Sequence, residues 1–394
     1  METDRENIQI RSPDLTNSFK NILSLKIAKE KITRLLNDAG ITVRGGNAWD
    51  IDIHDERFYN RVLLKWTLGF GESYMDGWWD TESLDQLVCK LYLANTDGKG
   101  NSLPGAIDLC RSRLINCQTK SRSQKVAHVH YDLGNDMYAE MLGKTMQYTC
   151  AYWKEAETLD EAQENKLDLI CRKLHLQKGE RVLELGCGWG GFARFAAEKY
   201  GVEVDAYNIS REQVKFAREL NRGLPVTIHL ADYRDAAGSY DKVAAIGLCE
   251  HVGYKNYPTL MNVAHRCLKP HGLFLLHTIA NNFTTTYCDP WFNKYIFPEG
   301  MLPSVRQLGE TIEGLFVMED WHNFGPDYDD TLLAWYHNFD RSWDRYREQY
   351  GERFYRMWKF YLLSLAGSFR ARRIQLWQIV MSKNGLPGGY ESVR

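Results

Sequence analysis

LELGCGWGG (183–191) is the stretch whose reading decides the fold. The apolar run around Glu184 breaks into Gly186, Gly188, Gly190 and Gly191, four glycines in six positions, with Cys187 and Trp189 between them. Glycine costs backbone entropy, so this density calls for positive φ or a bound group close to the backbone. RVLEL (181–185) reads as a short strand and GFARFAAEKYG (191–201) as a helix, so the turn sits at the carboxyl end of a strand. Open α/β sheets hold their ligands there. The second strand ends in Tyr207-Asn208 rather than in an acidic residue, and no Lys-Ser/Thr follows the glycines. The turn is therefore neither a dinucleotide fingerprint nor a triphosphate-binding loop.

Beyond the turn, strands and helices alternate. VEVDAYN (202–208) is a strand, and SREQVKFARELNRG (210–223) is a helix opened by Ser210, with Gln213 three positions on as a capping box. PVTIHLAD (225–232), YDKVAAIGLCEHVG (240–253) and GLFLLHTIA (272–280) supply further strands, and NYPTLMNVAHRCLK (256–269) a further helix. This rhythm predicts a parallel, doubly wound sheet. Residues 281–330 break it and read as an insertion; helices over about 330–348 and 352–371 then lead to a last strand, IQLWQIVMS (374–382).

The N-terminal part reads differently. Residues 15–39 carry Phe19, Ile22, Leu23, Ala28, Ile32, Leu35 and Leu36 at helical spacing, and Gly40 ends the helix. Lys20, Lys26, Lys29, Lys31 and Arg34 make a basic face. It is either a solvated face, the commoner case, or a surface for anionic headgroups. A tryptophan-rich helical segment (61–80), a loop (93–106) and a basic KSRSQK (120–125) come next. The expected organisation is a mainly helical N-terminal domain over 1–110, for lipid or dimer contact. A linker at 111–125 joins it to a catalytic domain at 126–394.

Composition narrows the function classes. With 49 basic and 51 acidic residues in 394, net charge is −2, which disfavours a nucleic-acid partner. Aromatics make up 13%, a load that suits a ring-lined pocket. Nine cysteines form no CxxC pair, METDRENIQI is polar, and no apolar run is long enough for a membrane span, so a cytoplasmic protein with reduced thiols is expected. The His and Cys residues lack clustered ligand spacing, so no metal is expected. Cys187 is read as a small side chain packed beneath the turn.

The glycine turn also resembles motif I of the class I S-adenosylmethionine-dependent methyltransferases. Many other strings carry a narrower likeness: GESYMDGWW (71–79), HYDLGND (130–136), MQYTCAYW (146–153), DYRD (232–235), EHVG (250–253), LLHTI (275–279), DPWFNKYIFP (289–298), LPSVRQL (302–308), EDWHNFGPDYDDTL (319–332) and FRARRIQLWQ (369–378). In this order, over about residues 30–382, they resemble the bacterial cyclopropane-fatty-acyl-phospholipid synthases. The resemblance implies a Rossmann-like methyltransferase sheet with a helical insertion. It also implies methylene transfer from S-adenosylmethionine to the cis double bond of unsaturated acyl chains in membrane phospholipids.

That reaction needs a dry site, rings or anions to support a carbocation, and a base. Tyr131, Tyr148, Tyr152, Trp153, Trp291, Tyr295, Phe297 and Tyr328 are candidate walls, at least half of them ordinary core residues. The resemblance implies a bicarbonate ion as base, held by Cys150, Glu250, His277, Tyr328 and the backbone of Ile279. The same four side chains are the implied catalytic set. It implies cofactor contacts from Tyr148, Thr149, Gly186, Gly188, Asn208, Gln213, Asp232 and Tyr233. Asn208 departs from the threonine frequent in relatives, and Thr149 and Cys249 depart more mildly. A homodimer, peripheral on the anionic inner face of the cytoplasmic membrane, completes the expectation. Two rivals stay open: a fatty-acid methyltransferase that leaves a methyl or methylene branch, and a non-catalytic lipid-binding protein.

Overall fold

The structure, a computed structural model, describes residues 15–94 and 135–394, with the backbone alone for 15–24. The expected linker at 111–125 and Tyr131 lie outside the described residues. Three helices, α1 (Leu15–Asp38), α2 (Arg57–Met75) and α3 (Leu84–Ala94), open the chain, with a small antiparallel pair, β1 (Asp52–Ile53) and β2 (Trp79–Asp80), that the sequence reading lacked. Inside α2, Trp66 takes φ +48°, a kink that periodicity does not reveal.

After α4 (Asn135–Leu142) and α5 (Leu159–Lys173) comes the expected alternation: β3 (Arg181–Leu185), α6 (Gly191–Tyr200), β4 (Glu203–Asn208), α7 (Arg211–Leu220), β5 (Val226–Leu230), β6 (Tyr240–Ile246), the single turn α8 (Cys249–Val252), α9 (Tyr257–Cys267) and β7 (Leu268–Asn281). Next are α10 (Pro290–Tyr295), α11 (Val305–Ile312), β8 (Val317–Asn323), α12 (Pro326–Ser342), α13 (Arg347–Tyr350), α14 (Glu352–Arg370) and β9 (Ile374–Ser382).

The seven-stranded sheet has the order β5-β4-β3-β6-β7-β9-β8. β5 through β7 are parallel, and β9 runs antiparallel to both neighbours. Strand order reverses between β3 and β6, so a crevice opens beside the glycine turn, where open sheets bind ligands. All of β9 is buried, and β6 nearly so, as continuous apolar runs in a doubly covered sheet should be.

Two expectations need correction. Residues 281–330 are not solely an insertion, because 317–323 are the edge strand β8. Its polar VMEDWHN hides it from an apolar-run reading, and an edge strand needs no second buried face. The capping box on α7 is half formed: Ser210 accepts from the Gln213 amide, but the Gln213 side chain turns to Asn208. Complete boxes stand on α5 (Thr158 with Glu161) and α11 (Ser304 with Gln307).

Candidate active site

The glycine turn is held from three sides. Gly186, Gly188 and Gly190 have φ of +81°, +52° and +82°, which side chains rarely adopt. A Cβ at Gly190 would stand 2.9 Å from that of Ala217, and one at Gly191 2.4 Å from the Thr145 carbonyl oxygen. A Cβ at Gly188 would meet nothing within 4 Å, so this is the face a bound group can approach. The Gly186 and Cys187 amides donate to the Tyr207 carbonyl at 3.0 Å each. Cys187 is buried against the sheet, as its size suggested.

The remaining cofactor candidates cluster at this edge with their polar atoms largely engaged. Asn208 Nδ2 donates to the Gly188 carbonyl and to Gln213 Oε1, both at 2.9 Å, and its Oδ1 accepts from the Ser210 amide at 3.0 Å. Asn208 thus does structural work on the turn that a threonine could not duplicate. Asp232 Oδ1 accepts from the Arg234 amide (2.9 Å) and Nε (2.8 Å). The Tyr233 hydroxyl is buried without a hydrogen-bond partner.

Residues 145–153 form a strap across the carboxyl ends of β3 and β6. Gly191 leaves room for Thr145 and Gln147, and Gly247 leaves room for Thr149, whose Cγ2 would be 2.6 Å from an added Cβ. Beneath the strap lies Lys166 of α5, fully buried; its Nζ donates to Gln147 Oε1 at 2.7 Å and Thr149 Oγ1 at 2.9 Å. Burial pulls this amine down to about 7, against an opposing pull from Cys150 and Glu184. Gln163 donates to the Thr149 carbonyl at 2.9 Å. Thr331 of α12 takes the Ala151 amide (3.1 Å) and Trp153 Nε1 (3.0 Å). Lys166, Gln163 and Thr331 escaped the sequence reading, because a polar residue on an apolar helix face does not announce its partner.

The strap delivers Tyr148 and Cys150. The Tyr148 hydroxyl is 2.8 Å from that of Tyr361, and its ring lies 5.3 Å from Trp335 and 6.4 Å from Phe297. Tyr328 packs 4.6 Å from Phe369 and 5.8 Å from Trp335. Burial pushes the Cys150 thiol and the Tyr328 phenol well up, so both keep their protons. Trp291 and Tyr295 pack toward the N-terminal helices: Trp291 is against Gly71, and the Tyr295 hydroxyl donates to Glu72 at 3.0 Å, both on α2. Tyr152 packs on His322 and Phe324.

Glu250 lies in the single turn α8 and His277 sits late in β7. Glu250 Oε1 accepts from the Ile279 amide at 2.6 Å, while the buried Oε2 has no partner. Although the residue is partly exposed, its carboxylate is enclosed, and burial raises it to about 7 against the pull of the Ile279 amide. The Ile279 amide is thus spent on Glu250, and its carbonyl accepts from the Thr278 hydroxyl at 2.9 Å. His277 is buried, with Nδ1 3.3 Å from Gln378 Nε2 and Nε2 without a partner. Burial, then Lys166 and Lys173, hold the imidazole well below its ordinary value and so neutral. With Gln378 donating to Nδ1, the proton sits on Nε2. Cys150 and Tyr328 lie in one buried cluster, the strap being held at the Ala151 amide by Thr331, three residues along α12 from Tyr328. A basic carboxylate oxygen, an imidazole donor and a phenol donor can together hold a small anion that carries its own proton. Among the described residues, no group of three His, Cys, Asp or Glu side chains is arranged to hold a metal.

Comparison with known proteins identifies the family. Residues 118–379 match the family described as mycolic acid cyclopropane synthetase. The chain is 51% identical over 359 residues to the cyclopropane-fatty-acyl-phospholipid synthase of Escherichia coli K12, covering 89% of this chain and 93% of the relative. It is 31% identical to the tuberculostearic acid methyltransferase UfaA1 of Mycobacterium tuberculosis, over 81% of this chain and 80% of that one. Among solved structures, the mycolic acid cyclopropane synthase CmaA1, complexed with S-adenosylhomocysteine and CTAB, superposes with a TM-score of 0.62 at 30% identity, covering 66% of this chain and 98% of that one. On its sheet, its glycine turn and these similarities together, the chain belongs to the mycolic acid cyclopropane synthetase family of class I methyltransferases.

Proposed function

We propose that the protein is a cyclopropane-fatty-acyl-phospholipid synthase. It adds a methylene from S-adenosylmethionine across the cis double bond of unsaturated acyl chains in membrane phospholipids. The observation that carries this reading is that Glu250 Oε2, just past the end of β6, and His277 Nε2, on neighbouring β7, are both buried without a partner. The open face of Gly188 fits the methyl donor, and that orphaned pair fits a bicarbonate ion. When bound, the sulfonium supplies an electrophilic methyl group and bicarbonate supplies a base.

The chain's own residues then have separable tasks. Gly186 and Gly188 give the donor access to the backbone, with Asn208, Gln213, Asp232 and Tyr233 along its edge. Tyr148 and Thr149 close over it. Rings of Tyr148, Phe297, Tyr328 and Trp335 exclude water and support positive charge on the acyl chain. Glu250 Oε2 would take up the ion's proton, His277 and Tyr328 would donate hydrogen bonds to it, and Cys150 would line its site as a neutral thiol. In balance, the double bond takes a methyl cation, one methyl proton leaves to the base, and the two electrons of that C–H bond close the ring.

The protein acts peripherally on the inner face of the cytoplasmic membrane, as a homodimer, with residues 1–110 as the accessory helical domain. No helix of the described residues is long and apolar enough to cross a membrane. The test is transfer of labelled methyl to unsaturated phospholipid vesicles, with mass spectrometry of the product. A gain of CH2 with loss of olefinic protons is expected. Retained olefinic protons would move the reading to a fatty-acid methyltransferase that leaves a methylene branch, and no label in lipid would leave only lipid binding.

A further inference from the structure

β7 carries His277 and Ile279 and ends at Asn281, about 7 Å of strand beyond Ile279. Past that end lies an exposed surface built from three separate segments. The 282–287 loop is tied to the corner at 304–306 by Thr284 Oγ1 and Ser304 Oγ at 2.8 Å, and by Gln307 Nε2 donating to the Thr285 carbonyl at 3.1 Å. It is tied to the turn between α14 and β9 by Asn282 Nδ2, which donates to the Arg372 carbonyl at 2.8 Å.

On this surface Phe283 and Val305 are 55% and 56% exposed and Tyr287 is 38% exposed. Arg306, Arg372 and Arg373 are exposed on these segments, with the Arg373 guanidinium 5.1 Å from the Phe283 ring centre. Residues 282–288, 304–306 and 371–373 contain three arginines and no carboxylate. Aromatic rings favour the level of lipid headgroups, and guanidinium groups pair with their phosphates. The basic face of α1 is less suited. Its Lys29 is bonded to Glu56 at 2.6 Å, and exposed Glu30 and Asp38 interrupt it.

We infer that Phe283, Tyr287 and Val305, ringed by Arg306, Arg372 and Arg373, are the surface by which the protein lies on an anionic phospholipid bilayer. Apolar side chains enter among the acyl chains while the arginines meet phosphate. Because the patch continues from the strand end that carries the acid–base set, docking there puts the bilayer beside the site. This inference rests on the reading of the protein as an enzyme of membrane acyl chains.

The test uses the full chain and two assays. Cosedimentation with phosphatidylglycerol vesicles and with phosphatidylcholine vesicles reads docking. Labelled-methyl transfer to a detergent-dispersed unsaturated phospholipid reads chemistry without a bilayer. Phe283→Ser with Tyr287→Ser, and separately Arg372→Glu with Arg373→Glu, should each weaken binding to phosphatidylglycerol vesicles at least tenfold. Both variants should keep transfer to dispersed lipid and a cooperative melt. Val305→Asp gives the same readout should either pair fail to fold. Lys26→Glu with Lys31→Glu and Arg34→Glu should leave vesicle binding unchanged. Wild-type binding by the patch variants would overturn the inference, as would loss of binding in the α1 variant alone. So would a change from dimer to monomer on gel filtration with vesicle binding intact, because the patch would then be a protein interface. Failure of the wild type to methylate dispersed lipid, with patch-dependent docking preserved, would overturn the enzymatic reading instead.

Discussion

Glu250 and His277 each present one atom in a hydrogen bond and one buried atom without a partner, and that asymmetry defines what they can do. Glu250→Gln keeps an oxygen for the Ile279 amide but loses the basic one. The fold should survive, and methyl incorporation should fall roughly 10²- to 10⁴-fold, the usual range for a lost general base. With Glu250 raised to about 7 by burial, wild-type turnover should climb as pH passes through about 7 and the carboxylate ionises. Stability runs the other way. A carboxyl raised in the folded state stabilises fully below its ordinary value of 4.5, and that contribution is lost as pH rises through about 7. Thermal melts between pH 5 and 8 should therefore fall less steeply for Glu250→Gln than for wild type, which also separates Glu250 from buried Glu184, raised to about 8. At Lys166, replacement by Met would strand Gln147 Oε1 and Thr149 Oγ1, at a cost of about 1–3 kcal/mol in denaturant unfolding.

At the scale of elements, the strap at 145–153 is positioned by two glycines that belong to other segments. Gly191→Ala would drive a methyl to 2.4 Å from the Thr145 carbonyl, a backbone atom that cannot rotate away. Isothermal titration should show S-adenosylhomocysteine binding weakened by more than tenfold, because strap and turn must separate. Gly309, inside α11 with nothing within 4 Å, is the control: Ala there should stabilise by about 0.5–1 kcal/mol. Elements with two buried faces were readable from residues alone: β3, β4, β6, β7 and β9 fall where the apolar runs put them. β8 was not, since Glu319, Asp320 and His322 are supported by contacts from distant residues. Asp320, for example, takes Arg394 at 2.6 and 2.7 Å and Ser392 at 2.9 Å. A polar edge strand resembles a loop until its neighbour is known.

Across the whole molecule, one apolar cluster runs from Ala28, Phe58 and Leu87 of the N-terminal helices to Cys150, Trp335 and Phe369 of the catalytic part. α3 lies so close to α14 that a Cβ on Gly367 would stand 2.3 Å from the Asp85 carbonyl oxygen. Arg370 links α14 to α3 and to α12, reaching Asp85 at 2.6 Å and Asp329 at 2.7 and 2.9 Å. A fragment of residues 126–394 would bare the α14 face that α2 and α3 cover. It should melt well below the full chain and bind an apolar dye; a melt equal to the full chain's would show that the catalytic part needs no such cover. What the residues alone settled was local: a strand, a turn requiring positive φ at several neighbouring positions, and a helix, hence the methyl donor's place in the fold. Family likeness then named Cys150, Glu250, His277 and Tyr328, which periodicity could not have grouped. Their protonation was decided by folding. Burial by separate strands and helices, against the pull of the Ile279 amide, raises Glu250 to about 7, and burial with Lys166 and Lys173 keeps His277 uncharged; such long-range desolvation has no signature along a single stretch of chain.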